Sequence, residues 1–261
     1  MARPLLLFVV RCVLFAYLGA VAAACVSTRD VNYLQGDYSA TDATPVTNKF
    51  SEYRLATNDV LYIRVQSPQP ELTKVFNLSE SDVVLNQADP ASLYINGYVV
   101  DEGGQITVPT VGKITVRNLT LSAAQNQVQQ AIAAYVRNAT VVLRLVSFRI
   151  TVLGEVRNPG RYPVFNDRAT VLEALGLAGD LTPLGNRRRV KLIRQTRDGS
   201  EVVLLDLTRP ELLGSPYYYL LPNDALYVEP VKALAQRGNS VNLALLFSGL
   251  GTAALLYGVF K

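Results

Sequence analysis

Hydrophobic and polar residues alternate along the first half of the chain in short runs that predict β-strands. An alternation of period two places every second side chain on one face of a strand. Turn sequences such as Asn96-Gly97 separate the runs, and this turn predicts a hairpin between its two flanking runs. The strands predicted here are Asp59–Val65, Leu93–Ile95, Tyr98–Val100, Gln105–Pro109, Val111–Val116 and Val141–Leu145.

The spacing of apolar residues lengthens to that of a helix between the last two of these runs. A hydroxyl side chain at Ser122 is a suitable N-cap, and the helix is expected to run to about Arg137. The apolar positions that share one face of it are Ala124, Val128, Ala131, Ile132 and Tyr135.

The second half of the chain shows the same mixture of strands and one helix. Thr170 is the predicted N-cap of the helix, and Gly179 is its predicted end. Asn158-Pro159-Gly160 and Asp198-Gly199 are turn sequences between strands. The predicted strands are Arg149–Val156, Arg161–Val164, Val190–Arg194, Val202–Asp206 and Leu226–Val228.

Both ends of the chain carry long apolar runs. Residues 1–24 have basic residues, a short apolar stretch and small residues before Cys25, which is the pattern of a secretory signal peptide. The Ala-Ala-Ala-Cys ending resembles a lipobox and predicts lipidation at Cys25, although an N-terminal transmembrane helix is an alternative. Val241–Phe260 has no charged residue, and at about 1.5 Å per residue it is long enough to cross a bilayer.

These patterns predict an α+β protein with two small mixed α/β sheet domains and a C-terminal transmembrane helix. The expected divisions are a signal peptide (1–24), a lipidated N-terminus and spacer (25–50), a first domain (51–147), a second domain (148–232) and a membrane-spanning helix (240–260). The 25–50 segment is polar and has little periodic pattern, which is typical of a spacer.

Composition limits the chemistry that the chain is expected to perform. The chain has no histidine and two cysteines, of which the signal peptide contains Cys12. Histidine is the commonest general base near neutral pH and the commonest metal ligand, so no catalytic, cofactor-binding or metal-binding residues are predicted. Carboxylate pairs such as Asp101 and Glu102 are found in any chain with 21 acidic residues and do not indicate an enzyme.

The charge balance does not indicate a nucleic-acid partner. The formal net charge is +4, from 25 basic and 21 acidic residues. One basic cluster stands out, in which Arg187, Arg189 and Lys191 are candidates for contact with an anionic polymer. The alternative is that this cluster is the solvated face of a strand.

Two segments carry a resemblance to a known family. Tyr53–Val65 and Gly97–Gly112 resemble the two signature regions of the bacterial outer-membrane polysaccharide export proteins, the OPX or Wza-type family. Ala56-Thr57-Asn58 replaces the glycine-rich turn of the first signature. Gly154–Gly160 and Pro222-Asn223-Asp224 resemble the landmarks of the soluble-ligand-binding β-grasp domain (SLBB), which gives a polysaccharide export domain followed by an SLBB domain.

The resemblance implies an outer-membrane lipoprotein that exports capsular or extracellular polysaccharide. Members form homo-oligomeric rings, typically octamers, and cooperate with an inner-membrane polysaccharide co-polymerase or tyrosine autokinase. The C-terminal helices of the ring form a barrel through the bilayer, and here Asn242, Ser248 and Thr252 are the candidate pore-facing residues. A plain anchor, whose small residues pack against neighbouring helices, is the alternative for this helix.

A different class of function also fits the sequence. The chain is consistent with a periplasmic glycan-binding or scaffold lipoprotein that has a C-terminal membrane anchor and conducts nothing. The two functions differ in stoichiometry, because a conduit requires a closed ring with heterologous contacts, whereas a scaffold does not.

Overall fold

The computed structural model describes residues 32–43, 45–77, 94, 96–196, 199–231 and 251–252. Within these ranges no helix is both long and apolar enough to cross a bilayer. The predicted signal peptide (1–24) lies outside the described residues, as does the predicted spanning helix (240–260) apart from positions 251 and 252.

The described residues form two buried cores, which we call the first and second domains. The first core lies between Leu55 and Leu143, and the second lies between Phe148 and Val228. The first domain contains β1 (Val60–Gln66), β2 (Tyr98–Val99), β3 (Gln105–Val108), β4 (Gly112–Thr115), α1 (Leu121–Ala133) and β5 (Thr140–Leu145). The second contains β6 (Arg149–Gly154), β7 (Gly160–Pro163), β8 (Ala169–Thr170), α2 (Val171–Leu177), β9 (Gly185–Thr196), β10 (Gly199–Leu205), β11 (Tyr219–Leu220) and β12 (Ala225–Pro230).

In the first domain, β1 is the central strand of an antiparallel sheet with the order β2-β1-β5. Its alternating sequence buries Leu61, Ile63 and Val65, whereas Arg64 and Gln66 are exposed, which confirms the predicted periodicity. Strands β3 and β4 form a separate hairpin. Single-turn 3-10 helices at Pro70–Leu72 and Lys74–Phe76 follow β1, and Phe76 is buried in the first core.

The N-cap of helix α1 lies two residues before the predicted one. The N-cap is Thr120, whose Oγ1 accepts a hydrogen bond from the backbone N–H of Ala123 at 3.2 Å. Ser122 therefore lies within the first turn, and the prediction that it caps the helix is wrong. The predicted apolar face is confirmed in part: Ala124, Val128 and Ile132 are fully buried and Ala131 is partly buried. Tyr135 is exposed, and the helix ends at Ala133, short of the predicted end near Arg137.

The predicted hairpin around Asn96-Gly97 is only partly within the described residues. Leu93 and Ile95 lie outside them, and β2 pairs with β1 rather than with a strand described before the turn. Val60 is opposite Val99, and Leu61 is opposite Tyr98. A strand partner nearly 40 positions away in sequence cannot be deduced from the turn alone.

The second domain is built on a five-stranded sheet with the order β10-β9-β12-β6-β7. The β9–β10 and β6–β7 pairs are antiparallel, as predicted, and β9 is longer than expected. Strand β12 lies between β9 and β6 and runs parallel to β6. The sheet thereby joins the first and last strands of the domain.

Thr170 is the N-cap of helix α2, as predicted, and it forms a capping box with Glu173. The Thr170 side chain accepts from the backbone N–H of Glu173, and the Glu173 carboxylate accepts from the backbone N–H of Thr170. The helix ends at Leu177, and Gly179 follows with a positive φ of 75°. Val171, Ala174 and Leu175 face the second core.

Candidate functional site

The two domains meet at a three-residue link between β5 and β6. Leu145, the last residue of β5, packs against both cores, and Phe148 belongs to the second core. The backbone N–H of Val146 donates to Val60 O at 2.9 Å. Ser147 is buried, and its Oγ accepts from the backbone N–H of Val60 at 3.1 Å. These contacts hold the link against the start of β1.

Asp59 completes this link from the first domain. Its Oδ2 accepts from the Tyr53 hydroxyl and from the backbone N–H of Ala56, both at 2.9 Å, and its Oδ1 accepts from Ser147 at 3.4 Å. The residue is 3% exposed, and burial raises the pKa of its carboxyl, although the surrounding hydrogen-bond donors act in the opposite direction. Asp59 is the aspartate of the first family-like segment, and its structural role is to hold the turn before β1.

The chain before the first domain lies along the second domain. We call residues 32–43 and 45–50 the N-terminal segment. The backbone N–H of Leu34 donates to Leu207 O at 3.0 Å, and that of Gln35 donates to Thr208 O at 2.6 Å. At the other end, the Phe50 ring meets the Tyr219 ring edge-on, with 5.4 Å between centroids. The segment predicted as a spacer therefore makes contacts at both of its described ends.

Tyr33 fastens the start of this segment. Its hydroxyl donates to the Asp180 carboxylate, and the Arg187 guanidinium lies 5.2 Å from the centre of its ring. Burial and the neighbouring carboxylate both raise the pKa of Tyr33. Tyr33 and Leu34 also pack against the second core.

An open cleft lies between the two domains and has a volume of about 390 Å³. Its walls come from the end of the N-terminal segment, from the start of α1, from β5 and from two loops of the second domain. The residues that line it are Phe50, Glu52, Tyr53, Leu55, Thr120, Leu121, Ser122, Gln125, Val142, Leu143, Arg144, Leu145, Phe148, Asn166, Asp167, Arg168, Leu220, Leu221 and Pro222.

A buried ion pair holds the wall of the cleft that follows β11. The Arg194 Nε lies 3.0 Å from Asp224 Oδ1, and Nη2 lies 2.7 Å from Oδ2. Arg194 Nη2 also donates to Tyr219 O at 3.2 Å, and Asp224 Oδ2 accepts from the backbone N–H of Leu221 at 2.7 Å. The Asp224 side chain is 1% exposed. The pair therefore connects β9 to both ends of the turn that contributes Leu221 and Pro222 to the cleft.

The rim of the cleft is charged. Glu52, Arg144 and Asp167 are exposed, and among the described residues none of these side chains forms an ion pair or a hydrogen bond. The Arg168 guanidinium lies 3.8 Å from the centre of the Phe50 ring, which is a cation–π contact. The lining of the cleft thus combines apolar residues with acidic and basic groups that can contact a ligand.

The predicted basic cluster does not form one exposed patch. Arg187 is only 7% exposed, and its guanidinium lies against Tyr33, so it is not on the surface where the prediction placed it. Arg189 and Lys191 are more exposed, and both pair with Glu229, at 2.6 and 2.7 Å respectively. Hydrogen bonds from these two residues lower the pKa of Glu229 to about 2. Arg189 and Lys191 agree with the alternative that the cluster is the solvated face of a strand, whereas the buried Arg187 does not.

The remaining predicted site residues are mostly outside the described part of the chain. Cys25, Asn242 and Ser248 lie in undescribed ranges, and Thr252 is an exposed residue in a helical conformation. Within the described residues, no group of three or more histidine, cysteine, aspartate or glutamate side chains has an arrangement that could hold a metal ion.

Comparison with known proteins assigns both halves of the described body. Residues 47–146 match the family described as "Polysaccharide biosynthesis/export protein", and residues 149–205 match the SLBB domain. The EPS I polysaccharide export outer membrane protein EpsA of Ralstonia nicotianae is 30% identical over 168 residues, which are 62% of this chain and 43% of that protein.

The protein of the same name from Ralstonia solanacearum is 33% identical over 170 residues, or 62% of this chain and 44% of that protein. The chain therefore aligns with less than half the length of either relative. The sequence resemblance to polysaccharide export proteins is confirmed, as is the order of the two domains.

Proposed function

Because residues 47–146 match the polysaccharide biosynthesis/export family and residues 149–205 match the SLBB domain, we propose that the protein exports polysaccharide across the outer membrane. The observation that carries the proposal is this pair of domains in this order. Both of the Ralstonia relatives are named as exopolysaccharide export proteins of the outer membrane. The cargo is a capsular or extracellular polysaccharide.

The proposed mechanism is conduction through a ring of identical subunits. A lipid on Cys25 and a helix over residues 240–260 anchor each subunit, and the helices together surround the passage. Asn242, Ser248 and Thr252 face that passage. A conduit lowers the barrier to crossing by excluding lipid from the path, so it requires no catalytic residue. An inner-membrane co-polymerase or tyrosine autokinase delivers the polymer to the ring.

The placement of Tyr33 and Val231, near the two ends of the described body, supports anchoring of both termini in one membrane. Tyr33 contacts Asp180, and the backbone N–H of Val231 donates to Leu184 O at 2.8 Å. Both ends of the described body therefore leave the second domain beside the loop between α2 and β9. From Cys25 to Asn32 there are 32 − 25 = 7 residue steps, which reach at most about 25 Å. A lipid on Cys25 thus places this end of the second domain close to the bilayer.

Deletion of the gene in the strain that encodes this chain tests the proposal. We expect loss of polysaccharide from the cell surface and its retention inside the envelope, with recovery when the wild-type gene is restored. The Cys25→Ser variant should fail to restore export, whereas Cys12→Ser, which alters a residue inside the predicted signal peptide, should restore it. Images of the detergent-extracted wild-type protein should show closed rings.

The scaffold alternative gives a different result in the same experiments. A scaffold lipoprotein would be extracted as single copies or dimers, without an opening. Normal amounts of surface polysaccharide in the deletion strain would overturn the export proposal.

A further inference from the structure

We propose that the cleft between the two domains is a binding site for a short stretch of glycan. The inference rests on the proposed export function and assigns to it a specific contact with the cargo. The cleft volume of about 390 Å³ falls within the range of roughly 300–1,000 Å³ that is typical of small-molecule sites.

The walls of the cleft are held in place without a ligand. On one side, the short link through Ser147 is hydrogen-bonded to the start of β1. On the other side, the Arg194–Asp224 pair fixes the turn that contributes Leu221 and Pro222. Because the site is already ordered, binding costs little conformational entropy of the protein, and a ligand that makes few contacts can still bind.

The lining matches the two kinds of surface that a sugar ring presents. The C–H faces of a pyranose pack against apolar groups, which here include the lining residues Leu121, Leu145 and Leu221. Its hydroxyl groups both donate and accept hydrogen bonds. Carboxylates at Glu52 and Asp167 accept such bonds, and the Arg144 guanidinium donates them.

The charge of the rim selects among ligand classes. Two acidic residues, Glu52 and Asp167, and two basic residues, Arg144 and Arg168, line the cleft. A polyphosphate or a nucleic acid requires a basic excess, which this rim does not have. The hydroxyl groups of a glycan can donate hydrogen bonds to the carboxylates and accept them from the guanidinium groups. The equal number of acidic and basic residues in the lining therefore favours a glycan.

Calorimetric titration of the full-length, detergent-solubilised protein tests this inference. The probe is a set of oligosaccharides released by partial acid hydrolysis of the polysaccharide that the encoding strain secretes. The double variant Asp167→Ala/Arg144→Ala removes one acceptor and one donor. We expect its affinity to fall at least about tenfold, because each lost charged hydrogen bond is worth more than that factor.

The matched control is Glu102→Ala/Arg137→Ala, which removes one acidic and one basic residue that are exposed elsewhere on the first domain. We expect it to bind the oligosaccharides as the wild type does. Hydrogen exchange should also slow on β5 and on the loop around Asp167 when the probe is added. Slower exchange at that loop before the probe is added, caused by assembly into rings, would show that a second subunit fills the cleft and would overturn the glycan assignment.

The outcomes separate this inference from the export proposal. If the deletion strain loses surface polysaccharide but the wild-type protein binds no oligosaccharide, the cleft assignment is overturned and the export function stands. Equal affinity for the double variant and the wild type would also overturn the cleft assignment. Secretion without the protein overturns export, whatever the titration shows.

Discussion

Arg194 and Asp224 form a bidentate ion pair, and the Asp224 side chain is only 1% exposed to solvent. The residues are 30 positions apart and join β9 to the turn before β12. Since the pair also holds Tyr219 O and the backbone N–H of Leu221, it determines the shape of the loop that borders the cleft.

Replacement of Asp224 by alanine should therefore strongly destabilise the second domain. The change leaves the Arg194 guanidinium mostly buried without its partner, and the expected loss is about 3–5 kcal/mol in the free energy of unfolding. Urea unfolding monitored by circular dichroism measures it. Glu211→Ala, at an exposed position in the same domain, should change stability by less than about 0.5 kcal/mol.

Gly154 should not tolerate a side chain. Its φ is +88°, and a Cβ at this position would lie 2.1 Å from the carbonyl oxygen of Val228 on the neighbouring strand. We expect Gly154→Ala to lower the melting temperature sharply and to reduce the free energy of unfolding by at least about 3 kcal/mol. Gly176 on α2 is the matched control, because nothing lies within 4 Å of the position that an added Cβ would take there. Gly176→Ala should stabilise the protein by up to about 1 kcal/mol.

Tyr53→Phe should raise the pKa of Asp59 above its already elevated value. The Tyr53 hydroxyl stabilises the ionised carboxylate, so its loss makes the buried charge less favourable and also removes about 1 kcal/mol of stability. Carbon-13 NMR titration of the Asp59 carboxyl measures the pKa directly. Tyr135→Phe is the control: it removes the hydroxyl of an exposed tyrosine and should leave the pKa of Asp59 unchanged.

The same carboxyl predicts a direction for the pH dependence of stability. Because the folded-state pKa of Asp59 is raised above 3.8, the folded protein binds this proton more tightly than the unfolded chain does. The contribution of Asp59 to stability should fall as the pH rises from the pKa of Asp59 in the unfolded chain to its pKa in the folded protein. Above the folded-state pKa this contribution should stay constant. The free energy of unfolding should decrease more over this pH range in Tyr53→Phe than in the wild type. A smaller decrease in the variant would contradict this direction.

Glu229 should titrate near pH 2, because Arg189 and Lys191 both donate hydrogen bonds to its carboxylate. The stabilisation from this lowered pKa should be fully present above the unfolded value of 4.5 and be lost as the pH falls through about 2. NMR titration of the Glu229 carboxyl should show its pKa rising in Arg189→Gln. The pKa should also rise in high salt, since the three side chains are at the surface.

Tyr33→Phe should loosen the N-terminal segment from the second domain. The change removes the hydrogen bond to Asp180 and keeps the ring against Arg187, so the global free energy of unfolding should fall by only about 1 kcal/mol. Limited proteolysis between residues 36 and 50 should become several-fold faster. Tyr38→Phe is the control, because Tyr38 is 52% exposed, and equal cleavage rates for the two variants would argue against a fastening role for Tyr33.

The local elements of this protein follow from short-range patterns in the sequence. The alternation in β1 predicts which side chains are buried, because the pleat of a strand sends successive side chains to opposite faces. The N-cap at Thr170 is predictable for a similar reason, since its hydrogen bonds with Glu173 lie within four residues. The two export signatures and the Gly154–Gly160 landmark are likewise recognisable from contiguous residues, and they lie within the ranges that match the export family and the SLBB domain. Pro222-Asn223-Asp224 lies beyond the matched SLBB range.

Tertiary contacts decided where the charged residues act. Arg187 and Arg194 belong to one basic stretch of sequence, yet Arg187 lies buried against Tyr33 and Arg194 is paired with Asp224. The partner of Tyr33, Asp180, is 147 positions away. No local period encodes such pairs, because they form only when the whole sheet brings distant segments together. The cleft also depends on tertiary contacts, because its lining residues belong to two different cores. These residues come together where Leu145 and Phe148 pack, at the link between the two domains.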